Sequence, residues 1–161
     1  MKPEKTEGEG GFNMVTVTLS KTAREFMTAF NSHDLEKVAA SCMNDCLSED
    51  AGSGKVFHGQ QERKNFYQDL FTAFPDVKIE IKSEISSGDW SANEWMMTGT
   101  NTGKLPASWN MPKSTATNKK ASWKGVSFIQ ARDGKSIHES HYWNPIPMME
   151  QLGLISEKTS R

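Results

Sequence analysis

The sequence predicts one soluble α+β domain, in which helices come first and a curved antiparallel sheet follows around an apolar pocket. Up to Pro75 the apolar residues recur at helical spacing, and beyond it they alternate with polar residues, as in a half-buried strand. The chain has 161 residues, a length typical of a single domain. Hydrophobic residues make up 35% and charged residues 24%, a balance that favours a folded core over disorder.

Three helices are predicted before the sheet. The first begins after Ser20, a possible cap, and its apolar positions are Ala23, Phe26, Met27 and Phe30. The second is short, begins after Asp34, and its apolar positions are Leu35, Val38, Ala39 and Cys42. A polar stretch over 44–55 precedes the third helix, whose aromatic face is formed by Phe66, Tyr67, Leu70, Phe71 and Phe74. Pro75 ends this helix, since proline disfavours helical backbone in the residue before it.

The sheet is predicted to contain four consecutive strands. In the first, Val77, Ile79, Ile81 and Ile85 alternate with charged residues, so one face is expected to be buried. Residues 90–102 are apolar on both faces and are interpreted as a central strand. A long loop over 103–120 is interpreted as a rim or lid. Strands over 121–132 and 136–144 are joined by an Asp133-Gly134 turn, and residues 148–152 are expected to form a last helical turn.

Charge and composition limit the classes of partner and the boundaries of the domain. A net charge of -1 gives no electrostatic support for binding nucleic acid or a membrane surface. Cys42 and Cys46 are interpreted as free thiols in a reducing compartment, so a cytoplasmic location is expected. No metal or cofactor motif is found in the sequence. The folded domain is predicted over 19–155, with flexible tails over 1–18 and 156–161.

Five short motifs together resemble those of the SnoaL-like polyketide cyclases. In chain order they are AFNSHDL at 29–35, AFPD at 73–76, GTNTG at 99–103, DGK at 133–135 and QLG at 151–153. The resemblance covers about residues 20–155. It implies the cone of the nuclear-transport-factor-like superfamily, a curved antiparallel sheet wrapped around helices as an α+β barrel. It also implies a homodimer that pairs through the outer face of the sheet.

The same resemblance shows where this sequence departs from the family pattern. In the characterised cyclases an aspartate on the final strand is the general acid/base for ring closure, and a Gln-x-His pair lies on the preceding strand. Here His141 takes the position of the aspartate, and Gly125 and Ser127 take the positions of the pair. An Arg-x-Asp pair at these two positions, typical of the related epoxide hydrolases, is also missing.

The last predicted strand provides the candidate catalytic residues. Ile137, Glu139, His141 and Trp143 share one face by alternation, and this face is expected to point into the cavity. Glu139 and His141 would lie about 7 Å apart at their Cα atoms, two strand rises. Imidazole can transfer a proton near neutral pH, so His141 is the candidate acid/base, with Glu139 orienting it or acting as a base. The alternative is that His141 only hydrogen-bonds a neighbouring strand or a water.

Candidate ligand contacts follow from large apolar side chains and strand parity. They are Phe66, Trp95, Met97, Trp123, Ser127 and Trp143. Trp90, Trp109, Met96 and Met111 add further apolar surface, although core packing is the commoner use of such residues. Gly125 is expected to leave space for a ligand or a neighbouring ring.

The remaining polar candidates have weaker arguments. Glu94 is a lesser acid/base candidate within a central strand, and His33 is expected to bind backbone carbonyls. His58 is predicted to cap the third helix or face the pocket, and His138 to face solvent or a sheet partner. A basic cluster near the loop is interpreted as a solvated rim; it comprises Lys113, Lys119, Lys120 and Lys124.

Two functions are therefore predicted as alternatives. The first is a cofactor-independent cyclase, isomerase or dehydratase that binds a hydrophobic small molecule and uses His141 with Glu139 for proton transfer. The second is a binding or dimerisation module that keeps the pocket but has lost the catalytic aspartate of the family.

Overall fold

Four helices and six strands make up the part of the chain that the computed structural model describes, residues 19–106 and 115–156. In chain order they are α1 (Lys21–Asn31), α2 (Leu35–Ala40), β1 (Cys42–Asp50), β2 (Lys55–His58), α3 (Gly59–Ala73), β3 (Lys78–Ser87), β4 (Trp90–Thr100), β5 (Lys120–Arg132), β6 (Lys135–Trp143) and α4 (Ile146–Leu152). The predicted α+β class is confirmed.

One sheet contains all six strands in the order β2-β1-β6-β5-β4-β3. Neighbouring strands are antiparallel except β1 and β6, which run parallel. The prediction of a purely antiparallel sheet is therefore wrong at this pair. The polar stretch expected over 44–55 contains most of β1, a strand that periodicity misses because its buried residues beyond Cys46 are Ser48 and Asp50 rather than apolar side chains.

The predicted starts of α1 and α2 are confirmed by their capping contacts. The Ser20 hydroxyl accepts a hydrogen bond from the Ala23 amide at 3.1 Å, and the Asp34 carboxylate accepts one from the Lys37 amide at 3.1 Å. These bonds satisfy amides that a helix start leaves without an internal partner. α2 ends at Ala40, so Cys42 belongs to β1 and not to the helix.

A bulge in β3 reverses the predicted direction of its later side chains. The pairing with β4 shifts between Ile81 and Ser83, so the residues after the bulge change face. Ile79 is buried as predicted, but Ile85 is 76% exposed. The predicted burial of Ile85 is therefore wrong.

The β5–β6 hairpin follows the predicted turn. Asp133 and Gly134 have φ angles of 51° and 74°, the left-handed backbone that a tight two-residue hairpin requires. This hairpin places β6 between β5 and β1, so both neighbours of β6 contribute side chains to the same face.

The core lies between the concave face of the sheet and the helices. Phe30 of α1 and Phe74 at the end of α3 are fully buried there, together with Leu105 from the loop before β5. The Asn101 side chain holds the two ends of this loop, donating to Ala73 O at 3.1 Å and accepting from Thr117 N at 3.0 Å. The predicted lid residues Trp109, Met111 and Lys113 lie outside the described residues. No helix in the described ranges is long and apolar enough to cross a membrane.

Candidate functional site

A cavity of about 370 Å³ lies between the concave face of the sheet and the helices α1 and α3. The two main acid/base candidates and the six candidate ligand contacts line it. These residues are Phe66, Trp95, Met97, Trp123, Ser127, Glu139, His141 and Trp143. The structure thus brings the candidate acid/base residues and the candidate ligand contacts to one place, while their roles remain predictions.

The cavity face of the sheet is organised as rows of side chains that cross the strands. Residues paired across antiparallel strands have their Cβ atoms about 4.5–5.5 Å apart, so each row forms a continuous strip. The first row is Ser91, Ile129, Glu139 and Ser48; the second is Asn93, Ser127, His141 and Asp50; the third is Trp95, Gly125 and Trp143. A polar strip therefore crosses the wall beside an aromatic one.

His141 is the centre of a hydrogen-bonded chain within these rows. The Trp95 indole N–H donates to Ser127 Oγ at 2.8 Å, and Ser127 Oγ lies 2.6 Å from His141 Nδ1. His141 Nε2 lies 3.3 Å from Glu139 Oε2. Because the carboxylate can only accept, Nε2 carries the hydrogen, and Nδ1 accepts from the Ser127 hydroxyl. The basic nitrogen of His141 thus faces Ser127.

Glu139 is a buried carboxylate whose oxygens are both occupied. Oε1 accepts from Arg63 Nη1 at 2.5 Å and from the Ser136 hydroxyl at 2.5 Å, and Oε2 accepts from the Ser48 hydroxyl at 2.7 Å. Burial by itself would raise the pKa of Glu139, but the Arg63 charge and the His141 hydrogen bond hold it well below its ordinary value. Glu139 is therefore ionised and suited to orienting His141, not to taking up a proton.

Arg63 is the counter-charge that the sequence analysis missed. Its side chain is 4% exposed, and its guanidinium carbon lies 5.6 Å from the ring centroids of both Phe26 and Tyr67. Burial opposes its charge, but Glu139 raises the pKa of Arg63, so the guanidinium stays protonated. A signal was present in the sequence, because Arg63 precedes Phe66 and Tyr67 by three and four residues on the apolar face of α3.

Asp50 is a second carboxylate that the sequence analysis missed. It is 6% exposed, lines the cavity, and accepts from the Trp143 indole N–H at 3.0 Å and from the Ser53 amide at 2.7 Å. Asp50 pairs with His141 across β1 and β6, so only the tertiary pairing brings it to the site.

A bulge in β6 changes the predicted cavity face of that strand at its start. The pairing with β5 shifts between Gln130 and Ala131, which leaves Ile137 without a partner. As a result Ser136 lines the cavity and binds Glu139. The predicted inward direction of Ile137 is wrong, whereas Glu139, His141 and Trp143 lie as predicted.

Gly125 has the second of its two predicted roles, space for a neighbouring ring, whereas Glu94 lies outside the cavity. A Cβ atom on Gly125 would lie 2.5 Å from the Trp95 ring, so this ring occupies the space that glycine leaves. Glu94 is exposed on the opposite face of β4, where it accepts from the Ser83 hydroxyl at 3.3 Å. Its interpretation as an acid/base candidate is therefore wrong.

The other histidines lie away from the cavity. His33 Nε2 lies 2.9 Å from Val77 O, the expected backbone contact, and its ring stacks on Phe71. His58 occupies the N-cap position of α3, as one of its two predicted roles has it, but its side chain is exposed and makes no capping hydrogen bond. His138 lies on the outer face of β6, where its ring meets Trp90 edge to face.

The two cysteines lie near the buried Glu139 carboxylate. Both are free and buried in β1, and Cys46 Sγ lies 3.8 Å from the Ser48 hydroxyl. Contact with the Cys46 thiol lowers the pKa of Cys42 to about 7; burial opposes this shift, and the Arg63 charge favours it.

Comparison with known proteins identifies relatives of this architecture. The sequence model of the SnoaL-like polyketide cyclase family matches residues 21–152. No curated protein sequence matches the chain.

Solved structures from several bacteria share the fold. AclR of Streptomyces galilaeus, a proposed hydroxylase, has a TM-score of 0.72 and 21% identity, covering 84% of this chain and 81% of its own. A Catenulispora acidiphila protein with a ketosteroid isomerase-like fold has a TM-score of 0.72 and 13% identity, covering 89% and 100%. IdmH of Streptomyces antibioticus, a proposed polyketide cyclase, has a TM-score of 0.65 and 22% identity, covering 82% and 96%. These likenesses establish the fold.

Proposed function

Because the chain belongs to the SnoaL-like polyketide cyclase family, we propose that it catalyses proton transfer at a carbon next to a carbonyl group of a hydrophobic small molecule, without a cofactor. The observation that carries this proposal is the chain from Trp95 through Ser127 and His141 to Glu139, which lines the cavity. Cyclisation by aldol closure, isomerisation and dehydration all begin with such a transfer.

The hydrogen-bond directions suggest how the proton moves. Ser127 Oγ takes the proton from the ligand carbon while the Ser127 hydroxyl proton passes to His141 Nδ1. Glu139 holds the other ring nitrogen as N–H and stabilises the imidazolium that forms. The Trp95 indole N–H stabilises negative charge on Ser127 Oγ during the transfer. The proton then returns along the same path, to the ligand carbon in an isomerisation or to the new alkoxide oxygen in a ring closure.

The wall of the cavity supports a hydrophobic ligand. Trp95, Trp123 and Trp143 supply aromatic surface, and Met97 and Phe66 supply further apolar area. Aromatic side chains bury large areas with few rotatable bonds, which suits a flat ring system. The cavity volume lies within the range of small-molecule pockets.

The direct test is exchange of the α-protons of 2-tetralone, a neutral bicyclic ketone, for deuterium in D₂O. If the proposal is correct, the protein accelerates this exchange above the rate in matched buffer, as followed by mass spectrometry. The exchange needs no knowledge of the natural substrate, because it reports only proton removal and return at carbon. Exchange at the buffer rate by a ketone that binds would contradict the catalytic proposal.

A second candidate function is ligand binding without chemistry. The observation that favours it is that both ring nitrogens of His141 already have protein partners. The same experiment separates the two functions, since a binding module would hold 2-tetralone, as shown by quenching of tryptophan fluorescence, without accelerating exchange.

We also propose a homodimer formed through an outer apolar patch, defined as Trp90, Val126, Phe128 and Tyr142. These side chains are 36–54% exposed; the Phe128 and Tyr142 rings meet edge to face at 6.3 Å, and Trp90 lies beside His138 at the border between the outer face of the sheet and the cavity. A contiguous apolar patch of this kind is typical of a protein interface.

Phe128→Glu tests the dimer. Light scattering after size exclusion is expected to give twice the 18.0 kDa chain mass for the wild type and a single chain mass for this variant, because a charge in an apolar interface is left without a partner. Ile146→Glu is the control, since Ile146 is 51% exposed but lies in α4, outside the patch. A wild type that stays monomeric at high concentration would contradict the dimer.

A further inference from the structure

The second row of side chains on the cavity wall begins with Asn93, which has no part in the proposed chemistry. Asn93 lies on β4 directly opposite Ser127, which in turn lies opposite His141. It lines the cavity and is only 3% exposed. The carboxamide therefore stands beside the proton-transfer chain without belonging to it.

The Asn93 side chain contains a polar atom without a hydrogen-bond partner among the described residues. Its Oδ1 atom is buried and has no hydrogen-bond partner in the described part of the chain. A buried polar atom without a partner destabilises a folded protein, so such atoms are rare and each one needs an explanation. In a cavity wall, a ligand can provide the missing partner.

The charges around the cavity restrict the ligand further. Among the residues that the structure describes, the lining contains the carboxylates Asp50, Glu84, Asp89 and Glu139 but only one permanent cation, Arg63, which is paired with Glu139. This surplus of negative charge disfavours an anionic ligand. A buried ammonium group would also have to lose its water, and one amide oxygen is a poor replacement for that hydration. A neutral hydrogen-bond donor, such as a hydroxyl group, avoids both the repulsion from the carboxylates and the loss of an ion's hydration.

We infer that Asn93 is a specificity-determining contact that accepts a hydrogen bond from a hydroxyl group on a neutral, largely apolar ligand. Paired residues on neighbouring strands lie about 5 Å apart. A ligand whose hydroxyl group binds Asn93 therefore places an adjoining ring atom next to Ser127 and His141. This inference rests on the proposed function, because it assumes that the cavity takes a small-molecule ligand. It adds the chemical class of that ligand and the residue that selects it.

Two naphthalene probes test the inference, because they differ only in a hydrogen-bond donor. 2-Naphthol carries a hydroxyl group, and 2-methoxynaphthalene carries the same oxygen without the hydrogen. Dissociation constants are measured by quenching of the cavity tryptophans. The wild type is expected to bind 2-naphthol about three- to tenfold more tightly, the range that one neutral hydrogen bond provides.

Variants assign this preference to Asn93. Asn93→Leu removes the amide at similar size and is expected to bind both probes equally. Asn93→Asp keeps an acceptor at the position and is expected to retain the preference for 2-naphthol, so it gives a second measurement if the leucine variant does not fold. Asn65→Leu is the matched control, since it makes the same substitution at an exposed position of α3 that pairs with Gln61 outside the cavity, and it is expected to leave the preference unchanged.

Each outcome decides the inference separately from the proposed function. Equal binding of the two probes by the wild type, binding of neither, or a preference that persists in Asn93→Leu would overturn the role of Asn93. Acceleration of 2-tetralone exchange would still support the catalytic proposal in these cases. Conversely, a preference lost in Asn93→Leu together with exchange at the buffer rate would support the Asn93 contact and reject catalysis.

Discussion

Replacing Arg63 with methionine is expected to lower the free energy of unfolding by about 3–5 kcal/mol, the cost of leaving a buried charge without its partner. Glu139 is 3% exposed, and Arg63 is its cationic partner at 2.5 Å. Methionine preserves the length and apolar packing of the side chain against Phe26 and Tyr67, so the loss reports mainly the missing charge. Chemical denaturation at pH 7 measures it.

The pH dependence of this loss has a defined sign. In the wild type the pKa of Glu139 lies below its ordinary value of 4.5, so the stability it contributes is present above about pH 4.5 and is lost as the pH falls further. Without Arg63, burial raises the pKa of Glu139 above that value. The deficit of the variant is therefore expected to be largest at pH 7 and to shrink as the pH falls toward 4.5.

Two further proteins make the Arg63 result specific. Lys64→Met is the matched control, because Lys64 follows Arg63 in α3 but pairs with Glu36 at the surface; a change within about 0.5 kcal/mol is expected. The double variant Arg63→Met/Glu139→Gln removes both charges and is expected to recover most of the lost stability. An Arg63→Met protein as stable as the wild type would show that Glu139 does not need this counter-charge.

Replacing His141 with alanine is expected to lower the protein-catalysed exchange of 2-tetralone by about 10²–10⁴-fold, the usual contribution of a positioned acid/base. Without the imidazole, the Ser127 hydroxyl has no base to receive its proton. The rate of deuterium incorporation, corrected for buffer, measures the effect. Binding of 2-tetralone, followed by tryptophan fluorescence, is expected to change much less than the rate.

His138→Ala is the control for this experiment. His138 lies on the same strand three residues earlier, but its ring is on the outer face beside Trp90. Its removal is expected to leave exchange unchanged. If His141→Ala kept the wild-type rate, or if both variants lost it equally, His141 would not be the base.

Sequence periodicity located most of the cavity face correctly. Alternation along β6 correctly predicted that Glu139, His141 and Trp143 face the cavity. Alternation along β5 correctly predicted the same for Trp123 and Ser127. It failed at the two bulges, where Ile85 turned outward and Ser136 replaced Ile137. A bulge inserts one residue, so the side chains on its two sides no longer follow a single alternation. No residue type in these two segments indicates where the bulge lies.

The sequence by itself determined the local features of this protein: the helix starts at Ser20 and Asp34, the helix end before Pro75, the Asp133-Gly134 turn and the family. These depend on capping, proline geometry, left-handed backbone and motifs, all of which act over a few residues. Only the tertiary structure decided that Arg63 and Asp50 belong to the site of His141. Their places depend on the packing of α3 against the sheet and on the parallel pairing of β1 with β6, contacts between segments far apart in the chain.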